Sequence, residues 1–204
     1  MNEKSFLNRI IRDLHKDYEC REASYIMIDK YFFENKNSEK LKEKFYMEKV
    51  KYGDYTNRSI RKLLRTNDFQ EWCYEFLFFE IKNFNNFFDF NQLELFRAIQ
   101  VDFDFIDKAK NASRVKLGIY WTYDYKYAIP YNSSCQHGDE YIFHAKINKS
   151  SVNIFKTFLL YVFNIYGEDE KEVRLFENKK IKNLFIEKKG DVLFSDFRFK
   201  TCIA

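Results

Sequence analysis

Three side chains that could act on a charged nucleotide occur in three separate apolar segments of the chain. Arg97 lies in LELFRAI, Thr122 ends GIYWT, and Glu172 begins EVRLF. A guanidinium binds phosphate oxygens through its planar fork. A fixed carboxylate can stabilise the oxocarbenium-like charge that develops when a glycosidic bond breaks. Together the three residue types suit a site that holds a dinucleotide and cleaves its glycosidic bond.

A second carboxylate, Glu170, precedes Glu172 by two positions in the acidic segment EDEKE. In an extended strand, residues two apart point to the same face of the sheet. Two carboxylates that lie so close repel each other, so one of them can hold a proton and serve in proton transfer. Taken alone, such a segment is more often a solvated loop, and a lone Arg97 is more often part of a structural ion pair.

The elements that must position these residues follow from the spacing of apolar residues. Over the first 83 residues the period is helical, with one stripe formed by Phe6, Leu7, Ile10, Ile11 and Leu14. Further helices are predicted at 23–33 and 39–50, after a cap at Asn57, and after a cap at Asp68. The segment 83–89 interrupts the period and predicts a boundary.

From Leu93 onward the pattern changes to short strands, predicted at 93–101, 118–122, 141–147, 172–176, 181–187 and 192–200, the last two forming a hairpin. A short helix is predicted at 125–131, and 155–165 suits either a helix or a buried strand. The predicted fold class is α+β. A helical region, 1–90, precedes a mixed, mostly antiparallel sheet in 91–204.

Composition narrows the class of protein. Hydrophobic residues make up 46% of the 204 positions and aromatic residues 20%, enough for a sizeable core. The net charge of +4 and a pI near 8.7 fall short of a dedicated nucleic-acid binder, although 57–65 is locally basic. Four widely spaced cysteines predict neither a disulfide framework nor a metal site. A charged N-terminal segment and no long apolar run predict a cytoplasmic protein with no membrane partner.

The three motifs, taken in order, resemble the R-S-E class of mono-ADP-ribosyltransferases, the cholera-toxin-like group, with threonine in the serine position. The resemblance extends from about Leu93 to Ile186. Ala98 stands where that family usually has glycine, and Trp121-Thr122 replaces its Ser-Thr-Ser motif. The resemblance implies a sheet core of ADP-ribosyltransferase type in 91–204.

The resemblance also implies a substrate, NAD, and the residues that would hold it without a metal. Arg97 would bind the NAD phosphates or ribose, and Trp121 would line the site or support it. Tyr127 or Tyr131 would stack on the nicotinamide ring, whose positive charge favours an aromatic face.

The remaining implied roles concern catalysis. Thr122 would orient Glu172 through its hydroxyl, Glu172 would stabilise the oxocarbenium, and Glu170 would position or deprotonate the acceptor. The implied acceptor is a macromolecule, either a protein side chain such as arginine or a nucleic acid. A small enzyme of this design suits a toxin, a phage effector or another conflict protein, with a cognate antitoxin or host target as partner.

Two other functions remain open at this point. The same scaffold could act as an NAD glycohydrolase, with water as the acceptor. A non-catalytic module that binds RNA or protein is the third interpretation. It is favoured by the basic segment 57–65 and by the many Tyr and Phe residues that can stack on bases.

Overall fold

A computed structural model describes residues 1–35, 39–101, 103–111, 116–129, 139–165, 171–177, 181 and 184–188. Its helices are α1 (Glu3–Asp13), α2 (Tyr18–Glu34), α3 (Glu39–Tyr52), α4 (Asn57–Leu63), α5 (Asn67–Phe87), α6 (Phe103–Asn111), α7 (Tyr125–Ala128) and α8 (Ile154–Phe163). Its strands are β1 (Gln92–Val101), β2 (Tyr120–Thr122), β3 (Asp139–Asn148), β4 (Glu172–Arg174) and β5 (Phe185–Lys188). The predicted α+β class, with helices first and a sheet after them, is confirmed.

The chain divides into two compact units. The helical unit comprises Met1–Asp89 and Ile154–Asp169, and the sheet unit comprises Phe90–Asn153 and Glu170–Ala204. Helix α8 therefore belongs with the N-terminal helices, although the sequence placed it in the β-rich region. Its sequence, IFKTFLLYVF, is apolar on nearly every side and needs a partner on most of its surface.

Aromatic rings form the core of the helical unit. The Phe158 ring of α8 meets the Phe6 ring of α1 at 4.9 Å and the Phe84 ring of α5 at 5.1 Å, both edge-on. All three side chains are fully buried. Edge-to-face pairs at this separation stabilise a core beyond the area they bury, so these contacts join three helices that are far apart in sequence.

Helix α5 continues through the segment that the sequence predicted as a boundary. The buried side chains Leu77, Ile81, Phe84 and Phe88 recur at helical spacing. The asparagines between them lie on the exposed side of the same helix. Packing of Phe84 and Phe88 thus outweighs the modest helix propensity of asparagine, and the helix ends four residues later than Asn83.

The described strands form an antiparallel sheet with the order β4-β2-β1-β3-β5. Strands β1 and β3 pair along their whole length, from Gln92 opposite Asn148 to Val101 opposite Asp139. Strand β2 is shorter than the predicted strand 118–122, and helix α6 lies between β1 and β2, where no helix was predicted from the sequence. The predicted strand 192–200 and its hairpin lie outside the described residues.

The register assigns each side chain to one of two faces. Phe96 lies opposite both Thr122 and His144, and Thr122 lies opposite Glu172. Residues directly opposite each other share a face, and neighbours along a strand alternate. We call the side with Thr122 the threonine face and the side with Trp121 the tryptophan face. Helix α7 covers part of the threonine face, where Tyr125 and Ala128 pack with Ala98 and Ile142.

A cluster of buried charges links α8 to α2 within the helical unit. The Nζ of Lys156 donates to the carboxylate of Asp17, which caps α2, and to that of Glu19 at 2.9 Å. All three side chains are largely buried. Burial is the largest single effect and pushes the pKa of Asp17 upward. The hydrogen bonds from Lys156, Glu19 and the Cys20 backbone, together with the charge of Lys156, outweigh burial and hold that pKa below its usual value.

We expect Lys156→Met to lower the free energy of unfolding by about 3–5 kcal/mol, because it leaves two buried carboxylates without their cation. A carboxyl group whose pKa is lower in the folded than in the unfolded state contributes to stability. That contribution is fully present above the unfolded pKa and is lost as the pH falls through the folded pKa. Urea titrations from about pH 7 to pH 3 should therefore show that the free energy of unfolding of the wild type decreases on acidification, and that this decrease is smaller in Lys156→Met. Lys82→Met, the same substitution at an exposed position of α5, should change the free energy of unfolding little. If it lowered the free energy of unfolding as much as Lys156→Met does, the stabilising role of the ion cluster would be contradicted.

Candidate functional site

Thr122 and Glu172 lie directly opposite each other on the adjacent strands β2 and β4. Both side chains therefore project from the threonine face, and both are half-buried. The sequence predicted that these two residues would meet, and the register agrees. Because each lies at the end of a three-residue strand, both sit at the rim of the sheet.

The Thr122 hydroxyl ties the backbone before Glu172 to the end of β2. Its Oγ1 accepts from the backbone N–H of Asp124 at 3.1 Å and lies 3.4 Å from the carbonyl oxygen of Lys171, to which it can donate. The backbone N–H of Tyr123 donates to the same carbonyl at 3.3 Å. Lys171 has a φ of 49°, a left-handed conformation that surrounding contacts must hold. Thr122 thus positions the start of β4, where Glu172 begins.

An ion pair borders this position. The Nζ of Lys171 lies 2.9 Å from a carboxylate oxygen of Asp124 and 5.2 Å from the ring centre of Tyr127. Burial is the largest single effect and raises the pKa of Asp124. The hydrogen bonds from Lys171 and the Lys126 backbone, together with the charges of both lysines, outweigh burial and lower the pKa overall. Tyr127, one of the two tyrosines predicted to stack on the nicotinamide ring, faces this cation of its own chain.

Arg97 lies on the opposite face of the sheet from Thr122 and Glu172. It follows Phe96, the residue paired with Thr122, and is itself opposite Phe143. Alternation along β1 therefore directs its side chain to the tryptophan face. The predicted convergence of Arg97, Thr122 and Glu172 in one cleft is wrong. Arg97 is one position after Phe96, the partner of Thr122, and side chains one position apart on a strand point to opposite faces.

The Arg97 guanidinium instead supports the backbone that leads into β2. Its Nη1 donates to the carbonyl oxygen of Tyr120 at 2.6 Å. Gly118 has a φ of +83°, and a Cβ on it would lie 2.8 Å from that Nη1. Trp121 is buried on this face, and its Nε1 donates to the Gly118 carbonyl at 3.3 Å. Arg97 and Trp121 thus fix the turn before β2 from beneath the threonine face.

A different guanidinium, that of Arg174, lies on the threonine face. Arg174 is two residues after Glu172 and is opposite Tyr120. Its guanidinium carbon lies 3.8 Å from the Tyr120 ring centre, a cation–π contact that fixes the plane of the group. Arg174 is not among the site residues predicted from the sequence. The period-two spacing from Glu172 could have identified it, since Glu172 and Arg174 must share a face.

A surface depression of about 310 Å³ lies beside these residues, lined by Phe96, Tyr123, Asp124, Tyr125 and Lys126. Its wall is held by a buried polar cluster on the threonine face. The Tyr125 hydroxyl donates to Oε1 of Glu187 at 2.6 Å, and Nε2 of His144 lies 2.9 Å from the same oxygen. Burial, together with this hydrogen bond, raises the pKa of Tyr125 above its ordinary value.

Two predicted site residues, Glu170 and Tyr131, lie outside the described residues. Among the residues that are described, no three His, Cys, Asp or Glu side chains are grouped to hold a metal ion. Within the same part of the chain, no helix has the length and apolar character needed to cross a membrane.

Comparisons of the chain with protein-family models, with curated proteins and with solved structures gave no match. The function must therefore be argued from the chemistry of the site and from the motifs themselves.

We expect Gly118→Ala to destabilise the sheet unit by about 1–3 kcal/mol, because alanine strains a positive φ and its Cβ meets the Arg97 guanidinium. Gly53→Ala is the matched control: Gly53 has a φ of +75° but nothing within 4 Å of the added Cβ. In an Arg97→Ala background, the urea-unfolding penalty at Gly118 should fall to that at Gly53. An unchanged penalty in that background would show that the guanidinium does not brace this turn.

Proposed function

We propose that this protein is a mono-ADP-ribosyltransferase that uses NAD as its substrate and Glu172 as its catalytic carboxylate. The observation that carries the proposal is the pairing of Thr122 with Glu172 on one face of an antiparallel sheet. These are two of the three residues on which the sequence resemblance depends. The α+β class is compatible with the proposal, and the ADP-ribosyltransferase fold itself is part of what we propose.

The proposed reaction breaks the bond between the ribose C1′ and the nicotinamide nitrogen of NAD. The bonding electron pair leaves with nicotinamide, and positive charge develops on the ribose. The Glu172 carboxylate stabilises that charge, while Thr122 holds the backbone from which Glu172 projects. An acceptor nucleophile then bonds to C1′ and gives up its proton. Glu170 retains its proposed role as the group that positions or deprotonates the acceptor.

The anion-binding role moves from Arg97 to Arg174 in this proposal. A residue that binds the NAD phosphates must share the face of the catalytic carboxylate, and Arg174 meets this condition through its spacing from Glu172. Stacking on Tyr120 holds its guanidinium plane, which lowers the entropy lost when phosphate oxygens bind. Arg97 supports the same strand from the tryptophan face and acts as a positioning residue.

The acceptor in this proposal is a macromolecule, either protein or nucleic acid, and the biological setting is a toxin, phage effector or other conflict protein. The resemblance in 93–186 supports this setting. An NAD glycohydrolase is the second candidate, because the half-buried Glu172 lies at the rim of the sheet, where water can reach it.

We expect Glu172→Gln to lower the rate of nicotinamide release from NAD by about 10²–10³-fold, because it removes the charge that stabilises the oxocarbenium. The control is Glu94→Gln, the same substitution at an exposed position of β1 on the same face, which should retain the rate. Release should be measured with NAD labelled in the adenylate moiety and a cell lysate as acceptor.

If the label appears on macromolecules, the result supports transfer of ADP-ribose. If nicotinamide is released and no macromolecule is labelled, the result indicates an NAD glycohydrolase. If neither nicotinamide release nor labelling occurs, or if Glu172→Gln labels as well as the wild type, the proposed function is refuted.

We expect Arg174→Gln to raise the KM for NAD about 10–100-fold with a smaller change in kcat, since a charged hydrogen bond contributes about 1.5–3 kcal/mol to binding. Lys146→Gln, an exposed change on the same face, should leave KM unchanged. Arg97→Lys should lower the midpoint of thermal unfolding more than it alters KM. The reverse result, a KM effect at Arg97 and none at Arg174, would restore the sequence-based assignment.

A further inference from the structure

The helical unit carries a basic groove that the proposed NAD chemistry does not use. The groove has a volume of about 680 Å³ and is lined by His15, Asn57, Arg58, Arg61, Lys62 and Arg65. We call it the α4 groove. None of these lining residues is acidic. Within the described part of the chain, no Asp or Glu forms an ion pair with its arginines or its lysine.

The cations of the α4 groove form one row along a well-anchored helix and the turn after it. Arg61 and Lys62 lie three and four residues after Arg58, on one side of α4. Arg65 lies in the turn that follows the helix. The other side is buried through Ile60, Leu63 and Leu64. The helix is therefore held by its apolar side, and the row of cations is presented at a fixed spacing.

Helix stability does not account for this row. Cations near a helix C-terminus favour the helix, which explains Arg61 and Lys62. Arg58, however, lies in the first turn, where the helix dipole disfavours a cation, and α4 has no acidic residue in that turn. Like charges three and four residues apart also repel. The chain as a whole is nearly balanced, with 35 basic and 31 acidic residues, so the excess is local.

One arginine is already held in the geometry that an anion needs. The Nη2 of Arg61 lies 2.9 Å from Nδ1 of His15, and the Arg61 side chain is half-buried. This contact restrains the Arg61 guanidinium within the lining of the groove, whereas Arg58, Lys62 and Arg65 are exposed. The three guanidinium groups suit phosphates, because each group can donate two parallel hydrogen bonds to two oxygens of one phosphate.

The lining of the groove selects among polyanions. Its six residues include no apolar side chain and no Phe, Tyr or Trp, whereas the core of a protein–protein interface is apolar and rich in these aromatic residues. A membrane-surface helix needs an exposed apolar side, and that side of α4 is buried. A phosphodiester backbone needs neither, because it is bound by charge and hydrogen bonds alone.

We infer that the α4 groove binds the phosphate backbone of a nucleic acid, independently of base sequence, and RNA is the probe with which we test it. The lining has no Phe, Tyr or Trp, and its His15 imidazole is bound by Arg61, so the inferred contacts are to phosphates. This inference is independent of the proposed NAD chemistry, since its residues all belong to the helical unit. Sequence-independent binding also agrees with the modest net charge, because four cations are enough for a short stretch of backbone.

The test uses the full chain and two fluorescently labelled single-stranded RNAs of unrelated sequence, with affinity measured by anisotropy from about 50 to 200 mM salt. Four phosphate contacts predict a slope of about −3 for log K against log salt, at about −0.7 per contact. Arg58→Gln with Lys62→Gln removes two contacts. This double variant should make the slope shallower by about 1.4 and weaken binding about 25-fold at about 0.1 M salt, for both RNAs alike.

The matched control is Lys40→Gln with Lys44→Gln, which removes the same charge at the same spacing from exposed positions on α3. It should keep the wild-type slope. Arg58→Lys retains the charge and should also keep the slope, which separates loss of contact from misfolding. Equal losses in the two double variants, or no binding at about 50 mM salt, would overturn the inference. So would capture of anionic vesicles through Arg58 and Lys62 without RNA binding. Glu172→Gln should bind RNA as the wild type does. The RNA-binding test can therefore be interpreted even if the NAD proposal fails.

Discussion

The pairing of β1 with β2 and of β2 with β4 decides which side chains of the sheet unit can act together. Phe96, Thr122 and Glu172 lie in one row across three strands, so every residue at an odd interval from them faces the other way. A slip of one residue would invert all of these assignments. The register is held by buried side chains on both faces, among them Trp121 and Val173 on one and Ala98 on the other. The composition of the site is therefore a consequence of core packing.

This constraint separates two functions that the sequence had merged. A guanidinium beside Glu172 can bind a substrate anion, and a guanidinium beneath β2 can hold the strand in place. Arg174 is placed for the first task and Arg97 for the second, since Arg97 bonds to the Tyr120 carbonyl and fills the space beside Gly118. Tyr120 connects them, because its carbonyl meets one guanidinium and its ring stacks on the other. In such an arrangement a change on the tryptophan face can alter the threonine face through the backbone of β2.

The sequence was a good guide wherever one local pattern determines the outcome. The strand predicted at 141–147 is confirmed as β3, and its register with β1 puts Tyr141 and Phe143 on one face and Ile142 and His144 on the other. The pairing of Thr122 with Glu172 agreed as well. The error at Arg97 arose because the phase of one strand against another depends on pairing, which no single segment encodes. The assignment of α8 to the helical unit and the continuation of α5 beyond Asn83 depend likewise on long-range packing around Phe84 and Phe158.

Two groups of charged residues within the helical unit follow different physical rules. In the α2–α8 cluster, Lys156 is buried with two carboxylates, and its charge is satisfied within the fold. In the α4 groove, four cations stand together on an exposed surface, where water and salt screen them and their mutual repulsion is tolerable. The fold depends on the first arrangement being complete, because removal of one partner leaves a buried charge uncompensated. The second contributes little to stability, so its arginines remain available to neutralise the closely spaced charges of a polyanion. The location of the basic residues is thus more informative about partners than the net charge of +4.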